Sequence, residues 1–197
     1  MFVQVIESRT SDPEAIIEAG ERWQRELRPG ATGYLGVTAG VTADGRTIAV
    51  VRFEDEASAR ANADRPEQTA WFEAVSKLYD GAPSFVESSD VTEWMGGGSN
   101  DAGFVQVMKS TGVDRGQVEK MDAAFEPFAG QRPDLLGGLR IWTGPDSCID
   151  VAYFTSEEEA RKGEQAEVPD EMKELMEEFE VGMGETEYLD LTNPQLH

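Results

Sequence analysis

One cysteine and one histidine are all the thiol and imidazole that the 197 residues contain. A single Cys148 rules out an internal disulfide framework and a thiolate metal cluster. It lies in the apolar run Cys148-Ile149-Asp150-Val151-Ala152, where a buried structural thiol is expected. The histidine is His197, at an end of the sequence where chains are usually mobile. Counting it as a mobile tail leaves no Ser/His/Asp triad, no imidazole haem ligand and no histidine-based metal site. Positive charge is also scarce: 17 Lys and Arg stand against 39 Asp and Glu, a net charge of −22. Such a surface repels phosphate backbones and anionic lipid, so neither nucleic acid nor membrane is expected as a partner.

No apolar run approaches the ~20 residues of a membrane helix. The first residues, Met1 to Glu7, turn polar too early for a signal peptide, and a cytoplasmic location is expected. The glycines of Gly96–Gly98 and Gly137-Gly138 lack the strand-loop-helix context of a phosphate loop. The first group reads as a linker and the second as a strand start.

What the sequence does have is repetition. Hydrophobic residues make up 39% of the chain, enough for a packed core, and they recur in one order twice. Phe2-Val3-Gln4-Val5 is matched by Phe104-Val105-Gln106-Val107. Asp12-Pro13 opens a helical series Ile16, Ala19, Trp23, Leu27. In the second copy Asp114 precedes Val118, Met121, Phe125 and Phe128, with Gln117 placed to reach back as in a capping box. Two short β-runs follow in each copy, around Asp44-Gly45 and around Gly144–Ser147. Phe53 and Phe154 each lead into an acidic helix start. A proline, Pro66 or Pro169, then precedes a second helical piece. Trp71, Val75, Leu78 and Tyr79 mark that piece in the first copy, and Met172, Leu175, Met176 and Phe179 in the second. A last strand, Ser84–Val91 or Glu185–Leu191, closes each copy.

The order is β-α-β-β-α-β twice, the ferredoxin-like arrangement. The predicted fold class is α+β: two such repeats, over residues 1–95 and 103–197 with a Gly-rich linker over 96–102, packed as an intramolecular dimeric α+β barrel. Packing sheet on sheet would satisfy each open face within one chain, so a monomer acting as a pseudo-dimer is expected. Gln4 and Gln106 are candidates to hydrogen-bond across that interface, or else to sit at an exposed edge. The halves differ in charge, with roughly −8 over 1–97 and roughly −14 over 98–197.

Candidate chemistry concentrates between Ala61 and Phe72. Asn62 and Arg65 offer hydrogen-bond donors for a developing anion, and Trp71 offers an aromatic wall, all around the helix break at Pro66. These three are the candidate catalytic residues; Tyr34, Arg52 and Trp23 are candidate substrate contacts. Each has a plainer reading. Trp71 shares a helical face with Val75 and Leu78, as core residues do; Asn62 could cap a helix; Asp64-Arg65 could be a surface ion pair. Arg52 and Asp150 are charges within apolar strands, more often solvent-facing than buried. The second copy has Gly163 against Asn62 and Val168-Pro169-Asp170 against Arg65-Pro66-Glu67.

The two copies, the acidic helix start from Phe53 to Asn62 and the later Trp71 resemble the antibiotic biosynthesis monooxygenase family of the dimeric α+β barrel superfamily. The resemblance implies a pocket between each sheet and its helices, with Asn62, Arg65, Trp71 and Tyr34 near it. It also implies a cofactor-independent oxidation of a small phenol- or quinol-type aromatic. A histidine of the haem-active members is Asn62 here, which argues against haem; no cofactor is expected. Asp64, Glu67 and Asp150 are the candidate bases. The alternative is a barrel that binds a small apolar molecule, or only itself, without turnover.

Overall fold

The computed structural model describes residues 1–166 and 170–197. The break expected at Pro169 lies outside the described residues, as do the side chains of Phe128, Met172 and Phe179. By contacts the chain divides into two units, Met1–Val91 with Asn193–His197, and Thr92–Thr192.

In the first unit β1 (Phe2–Arg9) leads to α1 (Pro13–Glu26), β2 (Tyr34–Val41), β3 (Arg46–Phe53), α2 (Glu56–Ala63), α3 (Pro66–Val75) and β4 (Ser84–Ser88). Helix α1 begins where the sequence signals it: the Asp12 carboxylate accepts from the Ala15 N–H, and Pro13 needs no donor in the first turn. Asp55 caps α2 in the same way through Ser58. Pro66 cannot continue the ladder of α2, and it starts α3 instead.

The second unit repeats the order. β5 (Val91–Trp94) precedes β6 (Phe104–Thr111), α4 (Arg115–Phe125), β7 (Leu135–Gly144), β8 (Ser147–Phe154), α5 (Glu157–Glu164), α6 (Asp170–Met183) and β9 (Glu185–Leu191); the last strand, β10 (Gln195–Leu196), belongs to the first unit. Asp114 caps α4 at Gln117 N–H, but the Gln117 side chain donates to Glu178 of α6 instead of closing a capping box.

The strand orders are β10-β2-β3-β1-β4 and β5-β7-β8-β6-β9. All the registered pairs are antiparallel. Four strands in each sheet follow the ferredoxin-like order, so the fold is α+β as its element pattern predicts. The fifth strand is the departure. The closing strand expected over Ser84–Val91 stops at Ser88, and the chain after it adds β5 to the edge of the second sheet. In return β10 adds to the edge of the first.

Both edges rest on a bulge glycine. The register shifts between Tyr34 and Gly36 and between Leu135 and Gly137. Gly36 (φ 154°) and Gly137 (φ 141°) take angles that L-residues avoid. A side chain on Gly36 would strike the His197 carbonyl and the Arg52 guanidinium; one on Gly137 would strike the carbonyls of Trp94, Met95 and Gly97. Each glycine therefore clears room for the added segment.

Gln4 and Gln106 each find a partner on the neighbouring strand of their own sheet. Gln4 donates to Glu87 of β4 (2.7 Å) and Gln106 to Asp190 of β9 (2.9 Å). Each carboxylate also accepts from an arginine, Arg60 of α2 (2.8 Å) or Arg161 of α5. Those guanidinium groups lie over the first phenylalanine of each unit, 5.7 Å from Phe2 and 5.2 Å from Phe104. A carboxylate adjacent to arginine satisfies the glutamine amide without leaving its own sheet. Small cores complete the picture: Phe2, Phe53 and Ala59 under α2, and Phe104, Ala152, Phe154 and Ala160 under α5. Cys148 is buried, as its apolar run predicts.

Candidate functional site

Between the first sheet and its helices lies a cavity of about 380 Å³, within the size range of small-molecule sites. Its floor follows from strand periodicity. Alternate residues face one side of a strand, so Val37, Ala39 and Val41 of β2 line it beside Thr47, Ala49 and Val51 of β3. The registered cross-strand pairs are Val37–Val51, Ala39–Ala49 and Val41–Thr47. Two alanines at the centre leave the space. From above, Ile16, Gly20, Trp23 and Gln24 come off one face of α1, at helical spacing. A side chain added to Gly20 would meet nothing within 4 Å.

The walls are aromatic and anchored. The Trp23 indole donates to Gln68 (2.6 Å) and the Trp71 indole to the Ala19 carbonyl (3.1 Å). Tyr34 packs 4.9 Å from Trp23 and 5.8 Å from Phe53, centroid to centroid. Burial raises the Tyr34 phenol above its ordinary value, against the lowering effects of Gln24, Arg28 and Arg52. Burial likewise raises Tyr79, another lining phenol.

Asn62 is the buried polar residue of α2 on this lining, 8% exposed. Its Oδ1 accepts from Arg65 Nη1 at 2.9 Å. A guanidinium can only donate, so this bond fixes which end of the amide faces Arg65 and leaves the NH₂ as the available donor. Arg65 is itself held by the Leu27 carbonyl (3.0 Å) and Glu67 (3.0 Å). Gln24 supplies the opposite polarity. Its NH₂ donates to the Tyr34 hydroxyl (2.8 Å), while its Oε1 is buried without a hydrogen-bond partner.

Of the six residues expected at a site, Asn62, Trp71, Tyr34 and Trp23 line one cavity. Arg65 does not; its guanidinium sits behind Asn62, and its fork sets that amide. Arg52 does not line it either. Its Nε is buried without a partner, and its Nη2 lies beside the bulge at Gly36. None of the candidate bases Asp64, Glu67 or Asp150 lines the cavity, and Asp150 belongs to the other unit. Asn62 lies within α2, whose C-cap is Asp64, so it is no cap.

The clearest correction concerns His197. Far from being a loose tail, it is tied to β2 by two backbone bonds with Val37 (2.8 and 3.1 Å), and it lines the cavity. Gln195 lines it too, while Leu196 between them does not, as alternation along a strand requires. No local signal near residue 197 indicates this. The pairing joins residues far apart in the chain.

The second unit fills the corresponding floor. Its cross-strand pairs are Gly138–Ala152, Arg140–Asp150 and Trp142–Cys148. Arg140 (5% exposed) donates to Asp150 (2% exposed) at 2.8 Å and also to Asp122. The Trp94 ring occupies the space over Gly138. Asp150 is thus buried and paired, contrary to the expectation of a solvent-facing strand charge. Burial raises it to about 6 in spite of Arg140. Among the described residues no cluster of three His, Cys, Asp or Glu side chains is placed to hold a metal, and no helix is long and apolar enough to cross a membrane.

No family model matches the chain, and no curated protein matches it in sequence. Solved structures do match it end to end. A "putative monooxygenase" of Lactobacillus acidophilus superimposes with a TM-score of 0.71 at 13% identity, covering 100% of this chain and 99% of its own. A protein of the same name from Fusobacterium nucleatum gives 0.75 at 10% identity, covering 100% and 93%. The fold is that of the antibiotic biosynthesis monooxygenase-like proteins. An anthrone oxidase-like protein shares it with a TM-score of 0.61 at 12% identity, covering 99% and 93%.

Proposed function

We propose that the first unit binds a small phenol- or quinol-type aromatic and oxidises it with dioxygen, without a bound cofactor. The carrying observation is the joint placement of three aromatic walls, Trp23, Tyr34 and Trp71, with one oriented amide donor, Asn62, around a cavity of about 380 Å³. The names of the solved proteins that share the fold support the same reading.

The chemistry asks little of a protein. A phenol with a free ring C–H position para to the hydroxyl reacts with one dioxygen to give a quinone and one water. The substrate loses two hydrogens and gains one oxygen atom; the second oxygen leaves as water. The ring becomes electron-rich enough to reduce dioxygen when the phenol is ionised, so the site must favour the anion. The Asn62 NH₂ is a donor already oriented by Arg65, and it costs no reorganisation when charge develops on the substrate oxygen. The apolar floor excludes water and strengthens that bond.

Oxygen uptake with anthrone and a naphthol panel tests this. Quinone should form with an equal amount of oxygen consumed, faster than in buffer and faster than with Ala49→Phe, which fills the floor. Binding of these compounds with no uptake above the two controls would make the unit a carrier. Absence of binding would remove the reading altogether.

A further inference from the structure

We infer that His197 is the base that takes the phenolic proton from a substrate bound in the first-unit cavity. This rests on the oxidative reading above and supplies the group that reading lacks. Ring walls and an amide donor can hold an anion, but neither can accept the proton that forms it. The proton passes from the substrate hydroxyl to an imidazole nitrogen, leaving a phenolate and an imidazolium. No other bond changes.

Three observations support the assignment. His197 is the chain's one imidazole, and a neutral imidazole carries one ring nitrogen that accepts. Its backbone is fixed to Val37 in both directions, so the side chain is delivered at a set place on the lining rather than by a swinging tail. The other titratable side chains on the lining are Tyr34, Tyr79 and Glu73. Both phenols are raised by burial and stay protonated as donors. Glu73 is exposed to solvent on α3. Arg52 of β3 lies beside the His197 carbonyl at Gly36 but does not line the cavity.

The second unit supports the same conclusion by contrast. Its matching edge strand, β5, brings Trp94 over Gly138. The added strand there closes the space with an indole. In the first unit the added segment brings an imidazole to an open cavity.

Alizarin, a hydroxyanthraquinone whose neutral and anionic forms differ in colour, separates the possibilities. Bound to the wild type near pH 7, it should show the anion spectrum, with the ionisation midpoint of the bound dye below that of the free dye. His197→Gln should bind it within about threefold, under 1 kcal/mol, yet leave the bound dye largely neutral; His197→Asn should do the same. Added imidazole should restore part of the anion signal in either variant. Glu73→Gln should behave as wild type. A bound dye equally anionic in both histidine variants, or lost instead in Glu73→Gln, overturns the assignment. So does a neutral dye bound to the wild type, and the oxidative reading would survive that result. Wild type that binds neither alizarin nor the phenols of the oxygen-uptake panel removes both proposals.

Discussion

The two sheets carry the same cross-strand position to opposite ends. In the first unit it is Ala39 facing Ala49; in the second it is Arg140 facing Asp150. Around it the units agree closely: matched bulge glycines, matched glutamine–carboxylate–arginine networks and matched added strands. One scaffold thus tolerates either an open apolar floor or a buried ion pair. The lesson is that stability and a site compete for the same few side chains. Where two alanines stand, burial is incomplete and a cavity stays open. Where the charges stand, the volume is filled, and Asp122 and Asp150 satisfy the guanidinium.

The largest break in this comparison should come from Arg140→Ala. It strands the buried Asp150 carboxylate, and removing one partner of a buried pair costs about 3–5 kcal/mol. Arg140→Ala with Asp150→Ala, which installs the first unit's own residues, should cost less than the single change in urea denaturation. A larger loss in the double variant would mean that the pair is a net source of stability. The same pair sets a pH signature. The folded state holds Asp150 near 6, above its ordinary value of 3.8, so it favours the protonated acid. That contribution is complete below 3.8 and is lost as pH rises through about 6. Stability of wild type relative to Asp150→Asn should therefore fall across that window, and a rise would show that Arg140 outweighs burial.

Next in size is Ala49→Phe. Placing a ring on the open floor should lower affinity for naphthols or alizarin by about 100-fold, near 2.7 kcal/mol, with the denaturation midpoint little changed. Asn62→Ala should weaken binding of the anionic dye about tenfold, in the range of a hydrogen bond to a charged group. Its affinity for a naphthalene lacking the hydroxyl should stay the same. Equal losses for both compounds would mean that Asn62 shapes the wall and donates nothing. The smallest effect belongs to Gly20→Ala. A mid-helix glycine costs about 0.5–1 kcal/mol relative to alanine, and the added methyl meets only open space. Thermal stability should rise slightly, and affinity should drop where the ligand reaches α1.

Much of the fold was legible because it is written locally. Asp12-Pro13 and Asp55 start helices by satisfying their first N–H groups, Pro66 breaks one, and period-two apolar runs mark β2 and β3. Of the wall residues, Asn62 and Trp71 were legible as unusual side chains near one helix break, and Trp23 and Tyr34 as aromatics suited to contact a substrate. Others were not. Gln24 and Gln68 look like ordinary surface residues of helices, and Ala39 and Ala49 matter only because nothing larger stands there. Arg65 looked catalytic from its chemistry, yet its neighbours Leu27 and Asn62 claim it from behind the lining.

By itself the sequence determined the repeated β-α-β-β-α-β order, since hydrophobic period, caps and breaks act over a few residues each. Only the tertiary structure decided that β5 and β10 leave their neighbours in the chain to edge the other sheet. That choice depends on backbone donors left open at β2 and β7 and on glycines that let another segment approach. With it was decided where Trp94 and His197 stand: one fills a space and the other borders a cavity, and pairing over so long a stretch of chain leaves no mark in the residues beside them.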